Sequence, residues 1–174
     1  MTEDLPRADS TPVPMGWQRG MVRNAGPYAR IDGVWRAARG VPEPGSDAIH
    51  LHPTGLLDAD SVPIDRVQDV VVVRPLCSYR GVRFELSRVF DGAGDVVWHP
   101  VSAGSSDHVT TLLIDFRDPA HRRVARWVGF TSNPLMEFVE GRVPLAAISD
   151  YREDITRTPW SFQPSPAPES DHVR

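Results

Sequence analysis

Short alternating stretches bounded by Gly and Pro dominate the chain, and they predict strands rather than helices. Tyr28-Ala29-Arg30-Ile31 has apolar ends around a polar position, Asp32-Gly33 is a hairpin turn signal, and Val34-Trp35-Arg36-Ala37 resumes extended character. After a Pro/Gly loop over 40–45, Ile49-His50-Leu51-His52 alternates and stops at Pro53. Val70-Val71-Val72-Val73 is a β-branched run closed by Arg74-Pro75, short enough for a buried strand. Leu76-Cys77-Ser78-Tyr79 then leads to Arg80-Gly81 and to the clean alternation of Val82-Arg83-Phe84-Glu85-Leu86, with Asp91-Gly92-Ala93-Gly94 as its turn. Thr111-Leu112-Leu113-Ile114-Asp115-Phe116 reads as a further strand. One stretch has a helical period instead. Asp118 caps it, Pro119 opens it, and Ala120, Val124, Trp127 and Val128 fall at i, i+4, i+7 and i+8 before Gly129. Its packed face places Trp127 under the helix, against the strand at 112–116, and its other face shows His121, Arg122, Arg123 and Arg126 outward.

One pattern occurs twice. Val62-Pro63-Ile64-Asp65-Arg66-Val67-Gln68-Asp69 returns as Val143-Pro144-Leu145-Ala146-Ala147-Ile148-Ser149-Asp150, and matching pieces lie upstream of both. Arg80-Gly81 answers Asp32-Gly33, and Asp95-Val96-Val97-Trp98-His99-Pro100 answers the stretch from Ala48 to Pro53, both ending in His-Pro. The turn glycine precedes that histidine by 19 positions (52 − 33) and 18 positions (99 − 81). Trp35 is two after its glycine but Phe84 three after, which puts them on opposite faces unless a bulge intervenes. From Pro53 to Val62 is 9 positions and from Pro100 to Val143 is 43, so the second unit is expected to carry an insertion holding a strand and the helix, about 109–130.

The expected architecture is mainly β (α+β): two tandem small antiparallel units, 17–75 and 76–160, between disordered tails at 1–16 and 161–174 that are rich in proline. Trp17 and Trp160 mark the limits of order. The layout of strand, turn, strand, strand and a tight Pro-containing turn into a last strand resembles SH3-like small barrels. The Tyr79 to Phe84 piece and the two Val-Pro elements are similar to small repeat proteins of high-GC bacteria, some of which are immunity partners of secreted toxins. That resemblance covers roughly residues 28–156 and implies a protein partner.

Composition narrows the chemistry. All 19 basic residues are arginine, which excludes a lysine-dependent phosphate loop or Schiff base. The net charge of −4 supplies no global field for nucleic acid or anionic lipid. Cys77 is the single cysteine, so no internal disulfide can form and a cytoplasmic setting fits. No apolar run approaches a membrane span, and the acid- and proline-containing start is unlike a signal peptide.

Five constellations are candidates for chemistry. His50 and His52 share a strand face, with His99 a third conceivable metal ligand, against the plainer reading of a polar strand face. Cys77 could be a nucleophile served by His99 and Asp95 or Asp115, against simple burial of a small hydrophobe. Asp91 to Asp95 lacks the ligand series for calcium and the helix for phosphate, so it reads as a hairpin, and Asp58 with Asp60 has no sugar platform. Arg122, Arg123 and Arg126 suit pairing with a carboxylate or phosphate, against a solvated helix face. The sequence therefore supports a non-enzymatic protein-binding module with no cofactor and no catalytic residue assigned. Its binding residues are expected at Arg122, Arg123, Arg126 and His99. The alternative is a small hydrolase with a pocket between the units around His52 and His99.

Overall fold

Two tight hairpins set the frame. At Asp32-Gly33 the φ values are 50° and 81°, and at Arg80-Gly81 they are 50° and 74°. Positive φ at both central positions defines the turn whose twist matches right-handed strands, and glycine holds the second position without strain. The computed structural model describes residues 13–54, 61–128 and 138–158, with the side chains of residues 126–128 and 138 outside that description. Eleven strands are described, β1 (Met21–Val22), β2 (Gly26–Ile31), β3 (Val34–Ala37), β4 (Ala48–His50), β5 (Ser61–Pro63), β6 (Val67–Tyr79), β7 (Val82–Phe90), β8 (Val101–Ser102), β9 (Val109–Asp115), β10 (Phe138–Pro144) and β11 (Ser149–Arg157). One helix, α1 (Pro119–Val128), joins β9 to β10. The fold is mainly β, and every strand pairing described is antiparallel.

The long strand β6 organises the sheet. On one edge it pairs first with β2, from Val67 to Val73, and then with β7, from Leu76 to Tyr79. On the other edge it pairs with β11, from Val71 to Ser78. The strand thus runs through Arg74-Pro75, where the sequence pattern predicts an end. On the first edge Pro75 falls where the ladder changes partner from β2 to β7, while on the other edge it lies opposite Glu153 within the β11 pairing.

The two halves use one set of pairings. In the first, β2 pairs β3 and β6, β4 pairs β5, and Ala38 bridges to Leu51. In the second, β6 pairs β7 and β11, β9 pairs β10, and β7 pairs β9. Registers agree as well. Ile49 lies opposite Val62 and Ala48 opposite Pro63, while Thr110 lies opposite Val143 and Val109 opposite Pro144. Each Val-Pro element enters a 3-10 turn, Ile64–Arg66 or Leu145–Ala147, that leads into the last strand. The Ile64 N–H donates to the Asp47 carbonyl and the Leu145 N–H to the His108 carbonyl, both at 2.9 Å, tying each turn to the residue before β4 or β9.

These registers revise two expectations. The counterpart of β4 is β9, which belongs to the sheet and is not inserted material. The stretch from Asp95 to Pro100 forms no strand and touches the ladder only where Val96 bridges to Phe90. Nor does a bulge rescue the Trp35 and Phe84 alignment. Both hairpins pair without a shift, Arg36 opposite Ala29 and Phe84 opposite Cys77, so Trp35 takes the other face and packs edge-on against Trp17 at 5.2 Å.

Burial follows this plan. Ala29, Ile31, Ile49, Leu51, Val62, Val67 and Val70 form the core of the first half, and Cys77, Phe84, Leu86, Leu112, Ile114, Val143 and Leu145 lead that of the second. Trp17, Tyr28, Ala37, Val71 and Val73 make a third cluster on the opposite face of β2 and β6. Segment 13–25 closes that cluster and ties the halves. The Asn24 amide donates to the Val97 carbonyl at 2.7 Å, and its carbonyl oxygen accepts from the Val89 N–H at 2.6 Å, both buried. Arg23, with a side chain 2% exposed, pairs with Glu153 at 3.0 Å and lies 4.1 Å from the centroid of the Trp17 ring.

Candidate functional site

The candidate site is a cleft of about 350 Å³ where the two halves meet. Its apolar lining comes from Ala25, Pro27 and Tyr28 around the start of β2 and from Ala37 and Ala38 around the end of β3. Its polar side chains come from both halves: Arg39 and His52 from the first, Arg88 from β7. The His52 backbone N–H donates to the Ala37 carbonyl at 2.9 Å, which holds the residue beside β3. Its imidazole stacks on Trp98 of the second half with ring centroids 3.5 Å apart and planes 1° from parallel. Partial burial pushes the His52 imidazole below its ordinary pKa, and the charges of Arg39 and Arg88 push it further down. The Arg39 Nε donates to the Leu51 carbonyl at 3.1 Å, fixing the side chain along the wall. The Tyr28 hydroxyl donates to the Asn24 carbonyl at 3.1 Å, and burial raises its pKa well above the phenol range.

The predicted residues divide between this cleft and the rest of the surface. His52 lines it, but His99 is exposed and is not among its lining residues, and no carboxylate lines it. The convergence of His52, His99 and an acid that a hydrolase would need is therefore not formed. His50 is exposed at the end of β4, and among the described residues no three His, Cys, Asp or Glu side chains converge to hold a metal.

Cys77 is 1% exposed in the core of the second half, and burial pushes its thiol up to about 12. It occupies the register position of Ala29, Cys77 lying opposite Phe84 and Ala29 opposite Arg36, and both slots hold a small buried side chain. Asp91 closes a turn: its Oδ1 accepts from the Ala93 and Asp95 N–H groups, both at 2.9 Å, and these bonds hold its pKa below the usual carboxylate range. Asp58 and Asp60 lie outside the described residues.

The helix carries the remaining candidates. Asp118 caps it as expected, its Oδ1 accepting from the Ala120 N–H at 2.7 Å. Arg122 and Arg123 are exposed. The side chains of Arg126 and Trp127 lie outside the described residues. His121 does not face outward as the sequence pattern suggests. Its Nδ1 accepts from the Asp115 N–H at 3.0 Å, its Nε2 meets the Arg83 carbonyl at 2.8 Å, and its ring stacks on Phe84 at 4.3 Å. A neutral imidazole protonated on Nε2 satisfies both bonds, so this histidine pins the helix to the sheet.

No family model, curated protein or solved structure matches the chain. The residues that sequence reasoning missed are Arg39, Arg88 and Trp98. None sits in a motif, and their meeting depends on pairings far apart in the chain. The one local hint was Trp98 beside His99.

Proposed function

We propose that the chain is a non-enzymatic interaction protein made of two tandem SH3-like β units, acting by covering a partner's surface as an immunity protein covers a toxin. The observation that carries this reading is where the reactive side chains go. Cys77 is packed in a core, His121 spends both ring nitrogens on backbone groups, and Asp91 is used up in a turn. By contrast Arg122 and Arg123 stand exposed on α1, where guanidinium groups can pair bidentately with carboxylates of a partner. The matching pairings of the two halves and their paired 3-10 turns support the tandem-unit description.

The test is affinity for the product of the neighbouring gene, measured across variants whose fold is checked by circular dichroism. Cys77→Ala and His52→Ala keep the affinity of the parent. Joint reversal of Arg122, Arg123 and Arg126 to Glu weakens it by about tenfold or more, since like charges across an interface cost several kcal/mol. Loss of binding in a folded His52→Ala protein, or turnover of a substrate that this variant abolishes, overturns the reading.

A further inference from the structure

We infer that the cleft between the two halves is a binding site for a small oxyanion, held by Arg39, Arg88 and His52 against the Trp98 ring. This goes beyond the surface interaction above and does not depend on it.

The charge pattern is the first argument. Acidic residues outnumber basic ones in the chain, 23 to 19, yet the cleft is lined by two arginines and no carboxylate. The Arg88 side chain makes no ion pair or hydrogen bond with a described residue, and its backbone N–H is taken by Thr111 Oγ1. Arg39 uses its Nε on the Leu51 carbonyl, which leaves its terminal nitrogens as donors with a fixed direction. Two guanidinium groups facing one concave space repel each other, and an anion between them removes that repulsion while accepting charge-assisted hydrogen bonds.

The imidazole supplies the second argument. The His52 ring nitrogens make no hydrogen bond with a described residue, and stacking on Trp98 fixes the ring plane. The charged groups facing it are Arg39 from the loop after β3 and Arg88 from β7, both cationic, and the nearby Tyr28 phenol stays neutral. Partial burial and, after it, the field of the two arginines lower the pKa of the ring, and the neutral ring can donate one proton. An oxyanion in the cleft reverses the field at the ring and stabilises the imidazolium. Once the imidazolium forms, the side chains of Arg39, Arg88 and His52 present donors alone, which suits an acceptor-only ligand. Arginine forks match the spacing of oxygens in a phosphate or carboxylate.

The experiment titrates the whole protein with inorganic phosphate while following the His52 ring protons by NMR. The expected result is saturable shifts at His52 and a rise in its pKa with bound phosphate, with tighter binding as pH falls. Arg39→Gln and Arg88→Gln should each weaken binding by roughly tenfold, the loss expected of one charge-assisted contact. Both side chains are exposed, so the variants keep the fold, and the unperturbed ring signals of His121 verify it. Arms with acetate and with phenyl phosphate distinguish a carboxylate from a phosphomonoester as the ligand group. Shifts that fail to saturate, a His52 pKa unmoved by any of the three anions, or binding by both arginine variants as tight as that of the parent protein overturn the proposal.

Discussion

At the scale of single residues, side chains that look reactive in the sequence turn out to be structural, and less conspicuous ones hold the molecule together. Asn24 stands in for a strand: it bonds the backbone of Val89 and of Val97 from a buried position, and each such bond left unmade would cost about 1–3 kcal/mol. Nothing in the local sequence marks it, because its partners are 65 and 73 positions away. Cys77 was legible, since a lone cysteine among strand residues is more often packed than reactive. Its chemistry follows from burial. A free thiol ionises near 9.0, but this one stays protonated until the pH approaches about 12. Because the thiolate is the attacking form, labelling of the folded protein by a disulfide reagent should remain slow even as pH rises through 9.0, and become fast on denaturation. Native-state labelling that accelerates around 9.0 would mean an accessible thiol and a different packing of β6.

At the scale of elements, the features that were legible are those governed by neighbours in the chain. Asp32-Gly33 and Arg80-Gly81 announce hairpins because few residues tolerate positive φ at two successive positions. The Val-Pro elements announce a turn because proline fixes the φ of the residue that precedes the 3-10 turn, −52° at Pro63 and −56° at Pro144. The His-Pro correspondence misled for the opposite reason. A dipeptide that ends a strand says nothing about pairing, and pairing is what makes β9 the counterpart of β4. The expected end at Pro75 failed because long-range partners on both edges carry β6 past it. The cleft was beyond reach, since Arg39, Arg88 and Trp98 meet only after every pairing is in place. The turn account predicts an asymmetry between glycines. Gly81→Ala should lower stability by about 1 kcal/mol, because alanine at a φ of 74° is strained whatever the space around it. Gly40→Ala should be close to neutral, having neither a positive φ nor an atom within 4 Å of the added methyl. Urea midpoints of the two variants make the comparison, and equal effects would contradict it.

At the scale of the whole molecule, two devices join the halves: the strand β6, which serves both, and the segment 13–25, which crosses from one to the other. The segment is anchored by charge as well as by apolar contact. Arg23 donates to the Gln18 carbonyl at 2.7 Å and to Glu153, while the Tyr151 hydroxyl and the Trp17 indole N–H also donate to Glu153, at 2.8 and 2.7 Å. Removing the acid leaves a buried guanidinium without its counter-charge, so Glu153→Ala should destabilise by about 3–5 kcal/mol in chemical denaturation. An unchanged midpoint would show that the segment is not held this way. Because β6 pairs with strands of both halves, the two should unfold as one cooperative unit. Amide hydrogen exchange along β6 tests it most directly. If the strand is shared as described, protected amides from Val67–Tyr79 open together, with one free energy on both sides of Arg74-Pro75 that equals the global stability. Two distinct opening energies that change at Pro75, with the first half exchanging while the second stays closed, would contradict it.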